Sequence, residues 1–192
     1  MEVAYSQEVT PDPGANAELA QANAELARLA ATDGLTGVAN RRFFQEALAV
    51  ETARARRYGG HPSLIMFDID HFKAINDRHG HHAGDRVLVE VVRRVRDHLR
   101  ASDYLARWGG EEFMILVTDC DQGTAMNLAE RFRLLIAATP LDEISPVTAS
   151  FGAATYDPAE SDEDWLRRVD GALYAAKAAG RNRICLGDRR VP

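Results

Sequence analysis

Residues 104–117, YLARWGGEEFMILV, set two short apolar stretches on either side of a glycine pair. Gly109 and Gly110 can supply the positive φ angles of a tight turn, so the spacing predicts two antiparallel strands joined as a hairpin. The second arm opens with Glu111 and Glu112 and then runs straight into MILV. A strand about to be buried ordinarily sheds its charge, so two carboxylates at its mouth call for a chemical reason.

The rest of the chain supplies a sheet and its cover. SLIMFDI at 63–69 follows a Gly/Pro break and predicts a short buried strand. Helices are expected from Arg41 to about Tyr58, from Ala83 to Leu99 on the repeat of Val87, Leu88, Val91, Val92, Val95 and Leu99, over 122–138, and over 161–179 closed by Gly180. PVTASFGAAT and RICLG read as further strands. The order helix, strand, helix, hairpin, helix, strand, helix, strand predicts an α+β fold with helices over a sheet.

Ahead of this lies a different composition. Residues 1–14 carry turn-formers without periodicity and are expected as a disordered tail, with a second short tail over 188–192. Residues 15–31 are rich in Ala, Glu and Leu, and Leu19, Ala22, Leu26 and Leu29 form an a/d seam about two heptads long. That seam predicts a dimerising helix, too short to hold a pair firmly alone.

Composition narrows the function classes. The chain of 192 residues has 46% hydrophobic and 27% charged residues, as an ordinary globular domain does. A formal net charge of -6 argues against coating nucleic acid, which needs a basic face. Cys120 and Cys185 stand in no metal-ligand spacing and are expected as reduced thiols in a cytoplasm. No apolar stretch approaches a membrane span, so no direct membrane contact is expected.

The chemistry gathers at strand ends. FDID closes the first strand, and a period of two puts Asp68 and Asp70 on one face if the strand continues that far. With Glu111 and Glu112 they could form a cluster of up to four acids, or two solvated loops that never meet. A gathered cluster would hold protons above the usual carboxylate range unless a divalent cation relieved it. Mg²⁺ suits such oxygen donors when substrate phosphates complete its shell. Asn76 and Asp85 have the donors and acceptors to read a guanine edge, yet also suit a turn and a helix first turn. Lys177 and Arg181, four apart and expected on one helix face, could bind phosphate or simply face water. The histidines of HGHH lack a second ligand group at zinc spacing and read as surface residues. DID after an apolar strand also fits phosphatases with an aspartyl nucleophile, a class that leaves the hairpin unexplained.

Taken together and in order, DGLTGVANRR, FDIDHFKAINDRHGHHAGDRVL, RWGGEEF, TASFGAAT and DGALYAAKAAGRNRI resemble the blocks of the GGDEF family, the diguanylate cyclases, over about residues 32–186. The resemblance implies a catalytic domain over 32–187 with a palm-like, mostly antiparallel sheet similar to adenylyl cyclases and polymerases. It implies that two copies meet as a homodimer, each holding one GTP, and close cyclic di-GMP with loss of pyrophosphate. By the same resemblance Asp68, the carbonyl of Ile69 and Glu111 would ligate Mg²⁺ or Mn²⁺, with Glu112 a further catalytic acid. Asn76 and Asp85 would select guanine. Lys73, Lys177, Arg181 and the amides of His71 and Phe72 would hold phosphates, while Gly109 and Gly110 would let the nucleotide approach the backbone.

RASD at 100–103 sets Arg100 and Asp103 at the offset from GGEEF that marks the family's product-binding inhibitory site. Arginine can fork onto guanine O6 and N7 while aspartate takes the N1 and N2 donors. The resemblance adds Arg131 to that site and gives Arg54 a part in linking a second domain. Some relatives only bind GTP or cyclic di-GMP as receptors, and these usually lose an acid of the motif. Here every acid stands. The N-terminal helix would then pair protomers and pass on signals from an upstream sensory domain.

Overall fold

The computed structural model describes residues 30–138 and 146–188. The chain divides between Ala31 and Thr32 into two units. The helix expected over 15–31 and both tails lie almost wholly outside the described residues. In chain order the described elements are β1 (Ala39–Asn40), α1 (Arg41–Tyr58), β2 (Ser63–Ile69), α2 (Phe72–His79), α3 (His81–Arg96), β3 (Tyr104–Gly109), β4 (Glu112–Val117), α4 (Gln122–Ala137), β5 (Ala149–Thr155), α5 (Asp162–Ala178) and β6 (Ile184–Leu186).

The strands form one sheet ordered β1-β3-β4-β2-β5-β6, the mixed palm-like α+β arrangement expected. β2 sits in the middle, antiparallel to β4 on one side and β5 on the other. All of its residues are buried, as its apolar run requires. Alternation sends Ile65, Phe67 and Ile69 towards the core beneath α3 and α4, where Val87, Val91 and Phe132 meet them. Leu64 and Met66 face the opposite core with Phe44 and Leu48 of α1 and Trp165, Val169 and Leu173 of α5. Asp68 shares that second parity.

Register is pinned one residue below the site. Phe67 stacks on Phe113 of β4 at 5.0 Å and on Phe151 of β5 at 5.2 Å, giving an aromatic row across three strands. The row fixes the next pairs, so Asp68 faces Glu112 on one side and Ser150 on the other. A slip of one residue would turn every side chain of β2 to the wrong face and carry Asp68 into the apolar core.

The helices begin where local chemistry permits. Asn40 Oδ1 accepts from Phe43 N at 3.0 Å to cap α1, and Asp121 Oδ1 accepts from Thr124 N at 2.7 Å to cap α4. α5 starts at Ser161, which accepts from Asp164 N, with three acids in its first turn.

Two expectations need correction. The segment before Ala83 contains a helix of its own, α2, joined at Gly80 to α3, which begins at His81. Its sequence FKAINDRH has too few apolar residues to show a period, and it is recruited by the burial of Phe72. α3 also ends at Arg96, because His98 and Leu99 donate to Val95 and Arg96 in tighter turns. The two-residue β1, parallel to β3, is too short to leave a pattern.

α5 is seated through a missing side chain. A Cβ at Gly152 of β5 would lie 2.4 Å from both Leu173 N and Val169 O of α5. Gly152→Ala should therefore destabilise the domain by roughly 2 kcal/mol or more, since backbone cannot give as a side chain can. A urea titration reads this, and an unchanged midpoint would show that the helix can lift off the sheet freely.

Candidate functional site

The hairpin tip is a two-residue turn. Gly109 pairs with Glu112, leaving Gly110 at φ 50 and Glu111 between them. The turn thus centres one residue later than the expected Gly109-Gly110, because a bulge between Arg107 and Gly109 consumes the extra residue. Ile69 N donates to Glu111 O at 3.3 Å, tying the tip to the end of β2. Arg107 secures it from the other side: Nε donates to Gly110 O at 2.8 Å, and Nη1 reaches both Asp33 oxygens at 3.3 Å. Burial alone would raise the Asp33 carboxyl, but bonds from Thr36 and the Arg107 charge hold it below its ordinary value. Arg41 covers Trp108 at 4.3 Å. Sequence inspection did not single out Arg107 or Asp33, whose partnership spans 74 residues.

Asp68 is 7% exposed, and its Oδ2 accepts an ion pair from Lys177 Nζ at 2.8 Å. Burial is the main force on its carboxyl. The Lys177 ammonium pulls it down, Glu111 and Glu112 push it up, and the balance leaves it raised to about 6. A carboxylate held there against its neighbours is an expense that structure alone does not require. Glu111 and Glu112 are half-buried beside it.

The donor set suits a hard divalent cation. It consists of carboxylate oxygens and a strand-end carbonyl, with no sulfur or imidazole. Among the described residues no three His, Cys, Asp or Glu side chains stand close enough to hold a metal by themselves. An ion taken up by Asp68, Glu111 and the Ile69 carbonyl would need oxygens from a substrate, as Mg²⁺ sites commonly do.

Asp70 is not part of this cluster. Its oxygens accept from Ser150 Oγ at 2.6 Å, Thr148 Oγ1 at 2.7 Å and Asn182 N at 3.0 Å, and it is 4% exposed. The period of two still holds, since Asp70 N donates to Thr148 O at 2.9 Å and its side chain meets Ser150, the register partner of Asp68, but its partners take up both carboxylate oxygens. The expected four acids are therefore three.

Around these acids stand groups able to receive phosphate. α2 begins after His71, which adopts φ 58, and no side chain caps its first turn. Its leading amides are thus left for another acceptor. Lys73 is exposed on the same turn, and among the described residues it pairs with no acid. At the other side α5 ends in a Schellman arrangement, with Arg181 N donating to Ala176 O at 3.1 Å and Gly180 N to Lys177 O at 3.3 Å. Gly180 takes φ 112 there. Lys177 and Arg181 consequently do not share a helix face, because the helix stops at Ala178 and Arg181 lies beyond it at φ 61.

Asn76 lies on α2 against Gly84, the residue before Asp85 on α3. A Cβ at Gly84 would be 1.9 Å from Asn76 Oδ1. That oxygen is buried and has no hydrogen-bond partner within the protein. An orphaned buried acceptor costs about 1–3 kcal/mol and calls for an external donor.

Arg100 and Asp103 form a closed turn. Arg100 N donates to Asp103 Oδ2 at 3.0 Å, and Thr118 N to its other oxygen at 3.4 Å. The guanidinium of Arg100 and the exposed Arg131 of α4 pair with no acid among the described residues. Arg54 is exposed and stands 4.0 Å from Glu51.

Comparison with known proteins places these features in a family. The family model described as diguanylate cyclase, GGDEF domain, matches residues 30–183. Diguanylate cyclase DgcP of Pseudomonas aeruginosa is 44% identical over 158 residues, covering 81% of this chain and 24% of that protein. Response regulator PleD of Caulobacter vibrioides is 40% identical over 162 residues, covering 81% and 36%. The chain thus spans less than half the length of the curated relatives it matches. Among solved structures, the coiled coil and GGDEF domain of DgcB from Caulobacter crescentus, in complex with c-di-GMP, gives TM-score 0.79 at 33% identity, covering 90% of this chain and 99% of that one. Diguanylate cyclase SiaD of Pseudomonas aeruginosa, in complex with its activator SiaC, gives 0.80 at 36% identity, covering 90% and 68%.

Proposed function

This chain belongs to the GGDEF family of diguanylate cyclase domains, and on that premise we propose that it condenses two GTP molecules into cyclic di-GMP, releasing two pyrophosphates, as a metal-dependent homodimer with one GTP per protomer. The observation that carries the proposal is the Asp68 carboxyl, buried and raised to about 6 beside Glu111 and Glu112. Such a cluster makes sense where a cation and a triphosphate meet it.

Asp68, Glu111 and the Ile69 carbonyl would hold the Mg²⁺ or Mn²⁺, which would offset the charge developing on the phosphate and lower the pKa of the attacking hydroxyl. Lys177 then trades Asp68 for phosphate oxygen. Lys73, Arg181 and the amides of His71 and Phe72 grip the rest of the triphosphate. Gly109 and Gly110 let the nucleotide lie against bare backbone. Asn76 and Asp85 accept from the guanine edge, and Asn76 Oδ1 gains the donor it lacks. Glu112 serves as a further catalytic acid near the ribose 3′-hydroxyl. Each 3′-oxygen attacks the α-phosphorus of the partner's GTP, and pairing two half-sites turns an improbable encounter into a positioned one.

The test is incubation with GTP and Mg²⁺ followed by ion-exchange resolution of the nucleotides. Cyclic di-GMP should form, and should not when the divalent ion is chelated. GTP left intact in both arms would favour a receptor module. Arg100, Asp103 and Arg131 are proposed to bind product and restrain turnover. Arg100→Ala should leave the initial rate within about twofold while product continues to accumulate where the parent protein stalls. Progress curves that stall alike would remove the inhibitory role. The chain's N-terminal seam is proposed to pair protomers under an upstream sensory domain, with the catalytic part in a cytoplasm.

A further inference from the structure

The turn that presents Arg181 is built from two consecutive residues in the left-handed region, Arg181 at φ 61 and Asn182 at φ 45. Neither is glycine, and such conformations cost on the order of 1 kcal/mol each unless the surroundings impose them. The surroundings impose them: Arg181 N donates to Ala176 O at 3.1 Å, Arg183 Nε donates to Arg181 O at 3.2 Å, and two further contacts fall on Asn182. Asn182 N donates at 3.0 Å to Oδ2 of the buried Asp70, which Ser150 and Thr148 hold in place. Asn182 Oδ1 accepts at 2.9 Å from Arg133 Nη1. Arg133 is itself locked by a two-pronged pair with Glu130, at 2.8 and 2.6 Å. The guanidinium of Arg181 takes no part and pairs with no acid among the described residues. Beyond Arg133 lies an open cavity of about 510 Å³, lined also by Asn182 and Arg183.

We propose that Asp70 and Arg133 are positioning residues for the triphosphate: they clamp the Arg181–Asn182 turn so that the Arg181 guanidinium is presented to the nucleotide's phosphates. This rests on Arg181 being a phosphate ligand. Neither Asp70 nor Arg133 touches the nucleotide. A carboxylate that the sequence places among the metal acids is thereby assigned to the phosphate side of the site, and α4 is tied to it.

The experiment is a double-mutant cycle on the full chain, read by calorimetric binding of 3′-deoxy-GTP, which lacks the nucleophile and cannot turn over, and of guanosine, both with Mg²⁺. Arg181→Ala should weaken 3′-deoxy-GTP without changing guanosine. Arg133→Met should weaken 3′-deoxy-GTP by about five- to tenfold, again sparing guanosine, and should add nothing in the Arg181→Ala background. Asp70→Asn should behave as Arg133→Met does; if it does not fold, Arg133→Met decides the matter alone, since the open cavity leaves room for the substitution. Losses shared equally by guanosine, or repeated undiminished in the Arg181→Ala background, would make both residues merely structural and overturn the proposal. If Arg181→Ala binds 3′-deoxy-GTP as the parent does, the phosphate role of Arg181 fails and the clamp with it. If Arg181→Ala weakens binding but Arg133→Met and Asp70→Asn do not, the clamp alone fails.

Discussion

Asp68→Asn abolishes condensation, lowering turnover by at least about a thousandfold, while making the metal-free protein more stable than its parent, by a wider margin at pH 8 than at pH 5. The first half follows from removing the more buried of the two carboxylates proposed to hold the cation. The second half follows from linkage. The Asp68 carboxyl rises from 3.8 in the unfolded chain to about 6 in the fold, so the folded state holds this proton more tightly. Its contribution to stability is fully present below about 3.8 and is lost as pH rises through about 6. At pH 8 the ionised carboxylate therefore costs the metal-free fold roughly 1–3 kcal/mol, a cost that the neutral amide does not carry. Lys177, partly exposed, can turn to water when its partner is neutral.

Urea unfolding in chelator at the two pH values separates this from a trivial loss of fold. A gain in the variant's relative stability between pH 5 and pH 8, together with lost turnover, marks Asp68 as a functional strain. A stability difference that stays flat with pH, or turnover above about one part in a hundred, would mean the acid is not kept for the cation.

How much of this the sequence reveals depends on distance along the chain. The hairpin, the buried central strand and α1 are written in contiguous patterns, and their observed bounds follow those patterns closely. The acids at the strand ends are equally legible, because an apolar run that keeps Glu111, Glu112 and Asp68 contradicts burial unless something compensates. α2 escapes because a helix held by one buried phenylalanine shows no period. Asp70 misleads for another reason: its carboxylate is taken up by Thr148, Ser150 and Asn182, the last of them 112 residues away. Lys177 and Arg181 mislead where the helix ends in a left-handed turn, which breaks the i, i+4 relation. Arg107 with Asp33, and Arg133 with Asn182, join segments 74 and 49 residues apart. No local pattern encodes such pairs. They become visible only once the sheet brings its strand ends and helix ends to one side.

Gly84→Ala should raise the KM for GTP by about ten- to a hundredfold with kcat at saturation little changed, although it introduces a better helix former. A methyl at Gly84 would sit 1.9 Å from Asn76 Oδ1 and 3.1 Å from Phe72 Cζ. The amide is the softer of the two neighbours, so it should swing away, and its oxygen would no longer be offered to the guanine edge that it is proposed to read. The propensity gain of about 1 kcal/mol offsets much of the crowding, which keeps the unfolding midpoint near that of the parent. Selectivity over ATP should narrow as well, since discrimination of this kind depends on buried polar groups that the wrong base leaves unpaired. Initial rates with GTP, and with ATP as competitor, measure both effects. Asn76→Ala should show the same losses alone, and Gly84→Ala should add nothing to it, because both act through one oxygen. Additive losses would place the effect of Gly84 in the packing of α2 on α3, and would leave the orphaned oxygen of Asn76 without a part in base recognition.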